Sequence, residues 1–316
     1  MCTGIRFSDN NGNMYFGRNL DWSTGFGQKV LITPRKYVLK SAFIGELPAK
    51  YAVIGIGIVE EDIPLYFDCG NEEGLAVAGL NFPGYAKYED SPLQDRINIA
   101  AYEFPLWMAM SFKTVDEVES ALRQVEIVGR AINNKYSVSM LHWIIGDREK
   151  SIVVEYTKRG MEVFKNDVDV LTNQPGYEWH RENLRNYMNL DGGSPESVRW
   201  KNAEMKPFGA GSLMRGLPGD FYSTSRFVRV AYLNTHYPEK SSEEENVSRL
   251  FHTLSGVAMI DGAAIMSDGA FERTIYTGGF SSASKTYYYN TYDDPAIRAV
   301  RMEDHELDGE SIVLDF

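Results

Sequence analysis

Turn-bounded strand runs interrupted twice by pairs of helices constrain this chain more than any other feature of it. In the N-terminal third, Cys2 to Phe7 and Met14 to Asn19 flank the turn Asp9-Asn10-Asn11-Gly12 and read as a hairpin. Strands follow at Lys29 to Ile32, Ala52 to Val59, Ile63 to Cys69 and Leu75 to Phe82, with Asn71-Glu72-Glu73-Gly74 as the turn between the last two. Ile97 to Phe112 is apolar almost all round, as expected of a buried helix. Thr114-Val115-Asp116-Glu117 reads as a capping box, followed by Val118, Leu122 and Val125 on one face. Strands return at Ser139 to Gly146, Ser151 to Thr157, Gly160 to Phe164 and Asp167 to Thr172, the last delivering Asn173-Gln174-Pro175-Gly176. Tyr177 to Met188 reads as helical, and Asn189 to Asp220 as a long irregular excursion of the kind that serves function or assembly. A second helical pair, Arg226 to Thr235 and Ser242 to Val257, starts its second member with a capping box, Ser242 and Glu245. Strands Arg273 to Gly278, Lys285 to Tyr292, Ile297 to Met302 and Ser311 to Phe316 close the chain.

Closely spaced strands favour antiparallel pairing, and two helix layers around two antiparallel sheets satisfy this order with few long crossings. The expected fold is therefore α+β, a four-layer αββα sandwich formed as a single domain over residues 1–316. Its 316 residues, 43% of them hydrophobic, suffice for a core of that size.

The chemistry is concentrated at the start. Cys2 directly follows Met1, and removal of Met1 would leave one residue carrying both a thiol and a free α-amine. A reference thiol near ~8.5 and an α-amine near ~7.7–8.0 are matched, so the amine can take the thiol proton without a separate histidine. The hairpin folds Arg18 and Asp21 back towards the chain start, where Arg18 could stabilise a thiolate and Asp21 orient the amine.

Several other classes are disfavoured. A net charge of −12 and the absence of a basic run interleaved with aromatics argue against nucleic acid as a partner. Two cysteines, Cys2 and Cys69, are too few for a disulfide scaffold and read as free thiols of a reducing compartment. With no charged leader and no apolar stretch of membrane-spanning length, the expected location is the cytoplasm. The five histidines lie far apart with no metal-ligand spacing, so no metal or cofactor is expected. Gly55-Ile56-Gly57 lacks the third glycine and the helix of a dinucleotide loop, since Glu60 stands where that glycine belongs. No Gly-x-Ser-x-Gly elbow supports a serine hydrolase.

Across essentially its whole length the chain resembles the choloylglycine hydrolase family, the bile salt hydrolases and penicillin V acylases among the N-terminal nucleophile hydrolases. The matching pieces are Met1-Cys2-Thr3-Gly4, Arg18-Asn19-Leu20-Asp21-Trp22, Asn81-Phe82-Pro83-Gly84-Tyr85 and Leu171-Thr172-Asn173-Gln174-Pro175. They continue with Leu217-Pro218-Gly219-Asp220, Ser225-Arg226-Phe227-Val228-Arg229 and Tyr292-Asp293-Asp294. The resemblance implies Cys2 as nucleophile and its amine as base, Asp21 fixing the amine, and Arg18 beside the sulfur. It also implies Asn81 and Asn173 as oxyanion donors and Arg226 completing the polar cluster. Within the family, Asn81 resembles the bile salt branch, because penicillin V acylases tend to carry an aromatic residue there. The implied substrate is a glycine or taurine amide of a steroid acid, whose apolar body would meet Leu20, Trp22, Phe26 and Ile132. A homotetramer is implied as well, with 189–220 as a plausible contact. Two alternatives stand beside this reading: another linear-amide acylase of the family, and a non-catalytic relative that only binds steroid acids.

Overall fold

A computed structural model describes residues 1–315. Two antiparallel sheets, of seven and eight strands, stack face to face and carry helices on their outer sides. The first contains Cys2–Ser8, Met14–Trp22 and Phe271–Ser281 as its centre, in the order Val170–Leu171, Cys2–Ser8, Met14–Trp22, Phe271–Ser281, Thr286–Thr291, Arg298–Arg301, with Ala264–Ile265 added at one end. The second runs Gly160–Lys165, Ser151–Thr157, Leu141–Gly146, Ala76–Asn81, Ile63–Asn71, Val53–Glu60, Lys29–Thr33, Val313–Asp315. The final expected strand is thus seen at Val313–Asp315, while Phe316 lies outside the described residues.

Burial on both faces explains why the central strands read as continuous apolar runs rather than as alternation. Cys2–Ser8 and Met14–Trp22 are buried at nearly every position. Helices Ser223–His236 and Glu243–Ser255 cover the first sheet, and Leu250, Phe251, Leu254 and Phe227 join a core shared with Ile5 on the helix side and with inward residues of both sheets such as Phe16, Ile54 and Ile144. Phe104–Ser111 and Val115–Leu122 cover the second sheet, burying Phe104, Trp107 and Leu122 against Cys69, Val77, Trp143 and Ile145. The order helix, sheet, sheet, helix is the expected four-layer sandwich.

The opening turn folds as its residues require. Asp9 Oδ1 accepts from the backbone N–H groups of Asn11 and Asn13, both at 2.9 Å, and Gly12 adopts φ +79°. Gly55 and Gly57 have a packing role. A Cβ on Gly55 would fall 2.6 Å from Cys69 Cα, and the register of this strand against Ile63–Asn71 shifts at Ile56/Gly57.

The local assignments needed correction in several places. Ile97 to Phe112 is not one helix: Ile97–Ala100 is a strand paired in parallel with Val125–Val128, and the helix is Phe104–Ser111. An apolar run buried on all sides carries no period to separate the two forms. Val125 accordingly belongs to that strand and not to the preceding helix. Thr114 caps its helix by accepting from Glu117 N, but the Glu117 carboxylate turns to Lys113 N, so the box is not reciprocal there; at Ser242 and Glu245 it is. Tyr177 to Met188 divides into the helix Tyr177–Asn183 and a 3₁₀ turn Leu184–Tyr187. The 189–220 excursion contains a small hairpin, Val198–Trp200 with Ala203–Met205, and a second hairpin unseen in the sequence pairs Val38–Ser41 with Gly45–Pro48.

Candidate active site

Strand alternation sorts the polar residues of the first hairpin to two sides of Cys2. The register pairs Cys2 with Leu20, Thr3 with Asn19 and Gly4 with Arg18. Successive side chains point to opposite faces, so Arg18 shares the face of Cys2, while Asp21 shares that of Thr3. Gly4, opposite Arg18, has no side chain to obstruct the guanidinium. Arg18 Nη2 donates to Cys2 Sγ at 2.7 Å, and Nη1 donates to the carbonyls of Phe67 at 3.0 Å and Gly79 at 2.9 Å. Two carbonyls of the facing sheet therefore hold the cation against the sulfur.

On the other face, Asp21 Oδ1 accepts from Thr274 Oγ1 at 2.7 Å, and Asp21 Oδ2 is buried without a hydrogen-bond partner. Arg226 Nη1 approaches that oxygen at 3.9 Å. The short strand Val170–Leu171 pairs with Gly4 and Ile5, so the chain beyond it brings Asn173 alongside Cys2. Asn173 Oδ1 accepts from Cys2 N at 2.8 Å and from Arg226 Nη2 at 2.7 Å, and Asn173 Nδ2 donates to the Asn81 carbonyl at 2.7 Å. Arg226, in the first turn of Ser223–His236, also donates to Cys2 O and Thr3 Oγ1, both at 2.6 Å, and to Phe221 O at 2.9 Å. All six polar residues singled out in the sequence are brought together: Cys2, Arg18, Asp21, Asn173 and Arg226 are buried, and Asn81 is half-buried at a strand end facing the cavity.

Met1 is held by the same groups. Its amine donates to Asp21 O at 2.7 Å and contacts the Glu272 carboxylate, and its carbonyl accepts from Asp21 N at 2.9 Å. While Met1 is attached, Cys2 N is an amide and has no basic lone pair. Burial lowers the pKa of the Met1 amine, opposed by the charges of Cys2 and Asp21. Burial likewise works against the charge on Arg18, but the ionisable groups around it, Cys2 first and then Tyr276, Asp68 and Tyr287, outweigh it and hold the guanidinium above its ordinary range. Arg226 lacks that surplus, and its burial draws its pKa below the ordinary value despite Asp21 and Cys2.

The thiol opens onto a cavity of about 560 Å³. Leu20, Trp22, Phe26 and Ile132 all line it. Ile58, Leu65, Phe67, Tyr102, Pro105, Met140 and Leu141 extend the apolar wall, and Arg130 and Lys135 add positive charge. Trp22, Phe26 and Phe67 touch in sequence, with ring centroids 6.3 and 5.4 Å apart. Such a volume and lining suit a small molecule with a large apolar body. Reasoning from sequence named only Ile132 of the 130–141 wall, although the irregular stretch between Val128 and Leu141 is long enough to have been flagged as a whole. It also missed Thr274, which donates to Asp21, and Ser223, whose carbonyl accepts from Thr172 Oγ1 and whose Oγ accepts from Asn173 N; all three bonds exist only through tertiary contact. Both cysteines are free, with Cys69 buried in the other core. Among the described residues no group of histidine, cysteine and acidic side chains is arranged to hold a metal ion, and no helix is long and apolar enough to cross a membrane.

Comparison with known proteins agrees with this geometry. The family model described as linear amide C–N hydrolases, choloylglycine hydrolase family, matches residues 2–315. A bile salt hydrolase/transferase of Bifidobacterium longum subsp. longum is 54% identical over 314 residues, covering 99% of each chain. A conjugated bile acid hydrolase of Lactobacillus acidophilus is 46% identical, again with 99% of each chain covered. The crystal structure of the C2A mutant of the Clostridium perfringens conjugated bile acid hydrolase superposes with a TM-score of 0.94 at 36% identity, covering 100% of this chain and 97% of that one. A thiol-bearing second residue, the polar residues around it and agreement along the entire length lead to one assignment: the chain belongs to the choloylglycine hydrolase family.

Proposed function

We propose that the chain hydrolyses the amide bond between a bile acid and glycine or taurine, with Cys2 as the nucleophile once Met1 is removed. The observation that carries this reading is the Cys2 sulfur, 2.7 Å from Arg18 Nη2 at the mouth of an apolar cavity of about 560 Å³. Relatives named as bile salt and conjugated bile acid hydrolases, 54% and 46% identical, support the substrate class.

The freed Cys2 amine takes the thiol proton, and the thiolate, steadied by Arg18, attacks the amide carbonyl. Asp21 Oδ2, buried and unpartnered, is suited to accept from the ammonium so formed. Asn81 and Asn173 stabilise the oxyanion, a contribution typically worth about 10²–10³ in rate per donor. The amine returns its proton to the leaving nitrogen, glycine or taurine departs, and an acyl thioester on Cys2 remains. Water, deprotonated by the same amine, then cleaves the thioester, releasing the bile acid and restoring the thiol. An amine can take the place of water at that step, and the hydrolase/transferase name of the Bifidobacterium relative supports acyl transfer as a companion reaction.

Leu20, Trp22, Phe26 and Ile132 receive the steroid, while Arg130 and Lys135 supply the local attraction for an anionic substrate that a protein of net charge −12 lacks globally. The chain acts as a single domain in the cytoplasm, a location supported by its two free thiols. It assembles as a homotetramer, for which the exposed Met188, Val198, Trp200 and Phe208 on and around the 189–220 excursion offer apolar contact.

The test is release of free glycine and taurine from glycocholate and taurocholate under reducing conditions, with penicillin V and a Cys2→Ser control alongside. Rapid release that is lost in Cys2→Ser is expected. Cleavage of penicillin V alone would move the substrate to a different branch of the family, and no cleavage by protein shown to lack Met1 would favour a binding role.

A further inference from the structure

Next to Arg18, one residue beyond the Phe67 carbonyl that accepts from it, lies a buried carboxylate that the hydrolytic scheme does not use. Asp68 belongs to Ile63–Asn71 in the second sheet and points into the space between the sheets, 2% exposed. Its Oδ1 accepts from Tyr276 Oη at 2.5 Å, and its Oδ2 accepts from Tyr287 Oη. Both tyrosines come from the opposite sheet, on Phe271–Ser281 and Thr286–Thr291, and both are fully buried. Burial, reinforced by the Asp68 charge, raises both phenols well above their ordinary range, so they stay protonated and donate. The packing leaves room for this: a Cβ on Gly278 would overlap the Tyr287 hydroxyl.

The arrangement matters for what it withholds from Arg18. A buried guanidinium near a carboxylate would ordinarily form a bidentate pair with it. Here each carboxylate oxygen is occupied by a tyrosine, and the Arg18 donors go to Phe67 O, Gly79 O and Cys2 Sγ instead. Burial raises the Asp68 carboxyl above its ordinary range, opposed first by the Arg18 charge and then by the two tyrosine hydroxyls, and Asp68 is in turn one of the groups that favour the charged form of Arg18. We propose that Asp68, Tyr276 and Tyr287 form a positioning unit that leaves Arg18 directed at the Cys2 sulfur. The two hydroxyls are the part that prevents the carboxylate from capturing the guanidinium. This inference rests on the cysteine amide hydrolase reading of the same site.

The ionisable groups around Cys2 are Arg18 on the thiol's face of the first hairpin, Asp21 and Arg226 on the other face, Asp68 from the second sheet with Tyr276 and Tyr287 from the first, and the freed Cys2 amine. Among these the unit predicts opposite effects for two conservative changes. Tyr287→Phe frees a carboxylate oxygen to pull Arg18 Nη2 off the sulfur. Asp68→Asn removes a negative charge behind Arg18 without offering a competing anion.

The readout is alkylation of Cys2 by iodoacetamide as a function of pH, located by peptide mass mapping, on protein whose intact mass shows loss of Met1. The pH profile of kcat/KM on glycocholate is recorded in parallel. The pH of half-maximal alkylation is expected to rise by about half to one unit in Tyr287→Phe and to fall by a similar amount in Asp68→Asn. Loss of packing alone would slow catalysis in both variants without moving the midpoints in opposite directions. Midpoints that stay in place, or that move the same way, overturn the proposal. Should Asp68→Asn fail to fold, Tyr276→Phe and Tyr287→Phe still decide it, since a midpoint unchanged or lowered in either is incompatible with capture of Arg18. Absence of glycocholate cleavage in the unsubstituted protein would instead refute the hydrolase reading, and alkylation would still report on the unit.

Discussion

Replacing Arg226 by lysine separates the charge at this position from the geometry of its fork. Arg226 is wholly buried and donates to four acceptors, Cys2 O and Thr3 Oγ1 at 2.6 Å, Asn173 Oδ1 at 2.7 Å and Phe221 O at 2.9 Å. These tie the helix at Ser223–His236 to the first strand and to the Asn173 segment. A lysine ammonium keeps the charge 3.9 Å from Asp21 only by approximation, and one point donor cannot span acceptors placed on both sides of a planar fork. Losing two of the four charge-assisted bonds, at about 1.5–3 kcal/mol each and with partial recovery from rearranged donors, should destabilise the protein by about 2–4 kcal/mol. For a chain of this size that corresponds to a fall in Tm of roughly 3–6 °C at a fixed scan rate. The effect on rate comes through Asn173, whose Oδ1 would lose one of its two anchors. A displacement of about 1 Å at such a residue costs about 10²-fold, so kcat should fall by that order while KM for glycocholate changes little. Differential scanning calorimetry and steady-state kinetics on one preparation read both quantities. An Arg226→Lys protein with unchanged Tm and kcat would show that the fork geometry is irrelevant and that only the charge is needed.

Further outcomes are expected elsewhere in the site. Thr274→Val removes the 2.7 Å donor to Asp21 Oδ1 and should lower kcat about tenfold at nearly constant KM, whereas a change confined to KM would place Asp21 in substrate binding. Ile132→Glu sets a charge on the cavity wall and should raise KM for glycocholate at least tenfold while leaving iodoacetamide alkylation of Cys2 intact; an unaffected KM would remove Ile132 from the steroid contact. Burial drives His180 down from 6.5 to about 4, so between those pH values the unfolded chain binds the proton that the folded one refuses. The stability contributed by neutral His180 is complete above pH 6.5 and is lost as pH falls towards 4, and His180→Gln should flatten the dependence of Tm on pH in that window. An equal slope in the variant would assign the acid sensitivity to other groups.

Much of the molecule was legible in the chain because its signals are local. Asp9 and Gly12 specify the first turn through their own backbone bonds and φ, and the capping box at Ser242 and Glu245 closes within one helical turn. The errors fell where packing overrides local preference. Ile97 to Ala100 forms a strand only because Val125–Val128, distant in sequence, lies beside it. The strands Val38–Ser41 and Val198–Trp200 of the small hairpins, four and three residues long and largely exposed, are too short for an alternation to stand out. In the site, the hairpin read from the sequence returns Arg18 and Asp21 to the chain start, and its observed register places Arg18 on the Cys2 face and Asp21 on the other.

What the sequence determined by itself, then, is the proposed nucleophile and its nearest companions: a thiol next to Met1, and a hairpin short enough to return an arginine and an aspartate to it. These depend on covalent order and strand alternation, which require no knowledge of the rest of the fold. Only the tertiary structure decided which of Arg18's possible partners it would have. Phe67 O and Gly79 O come from the facing sheet, Asp68 is occupied by Tyr276 and Tyr287 across the sandwich, and Arg226 reaches Cys2 from a helix more than two hundred residues further along the chain. Closing loops of such length costs entropy that only the collective burial of both sheets repays, so contacts of this kind exist in the folded sandwich and leave no trace in any local stretch of sequence.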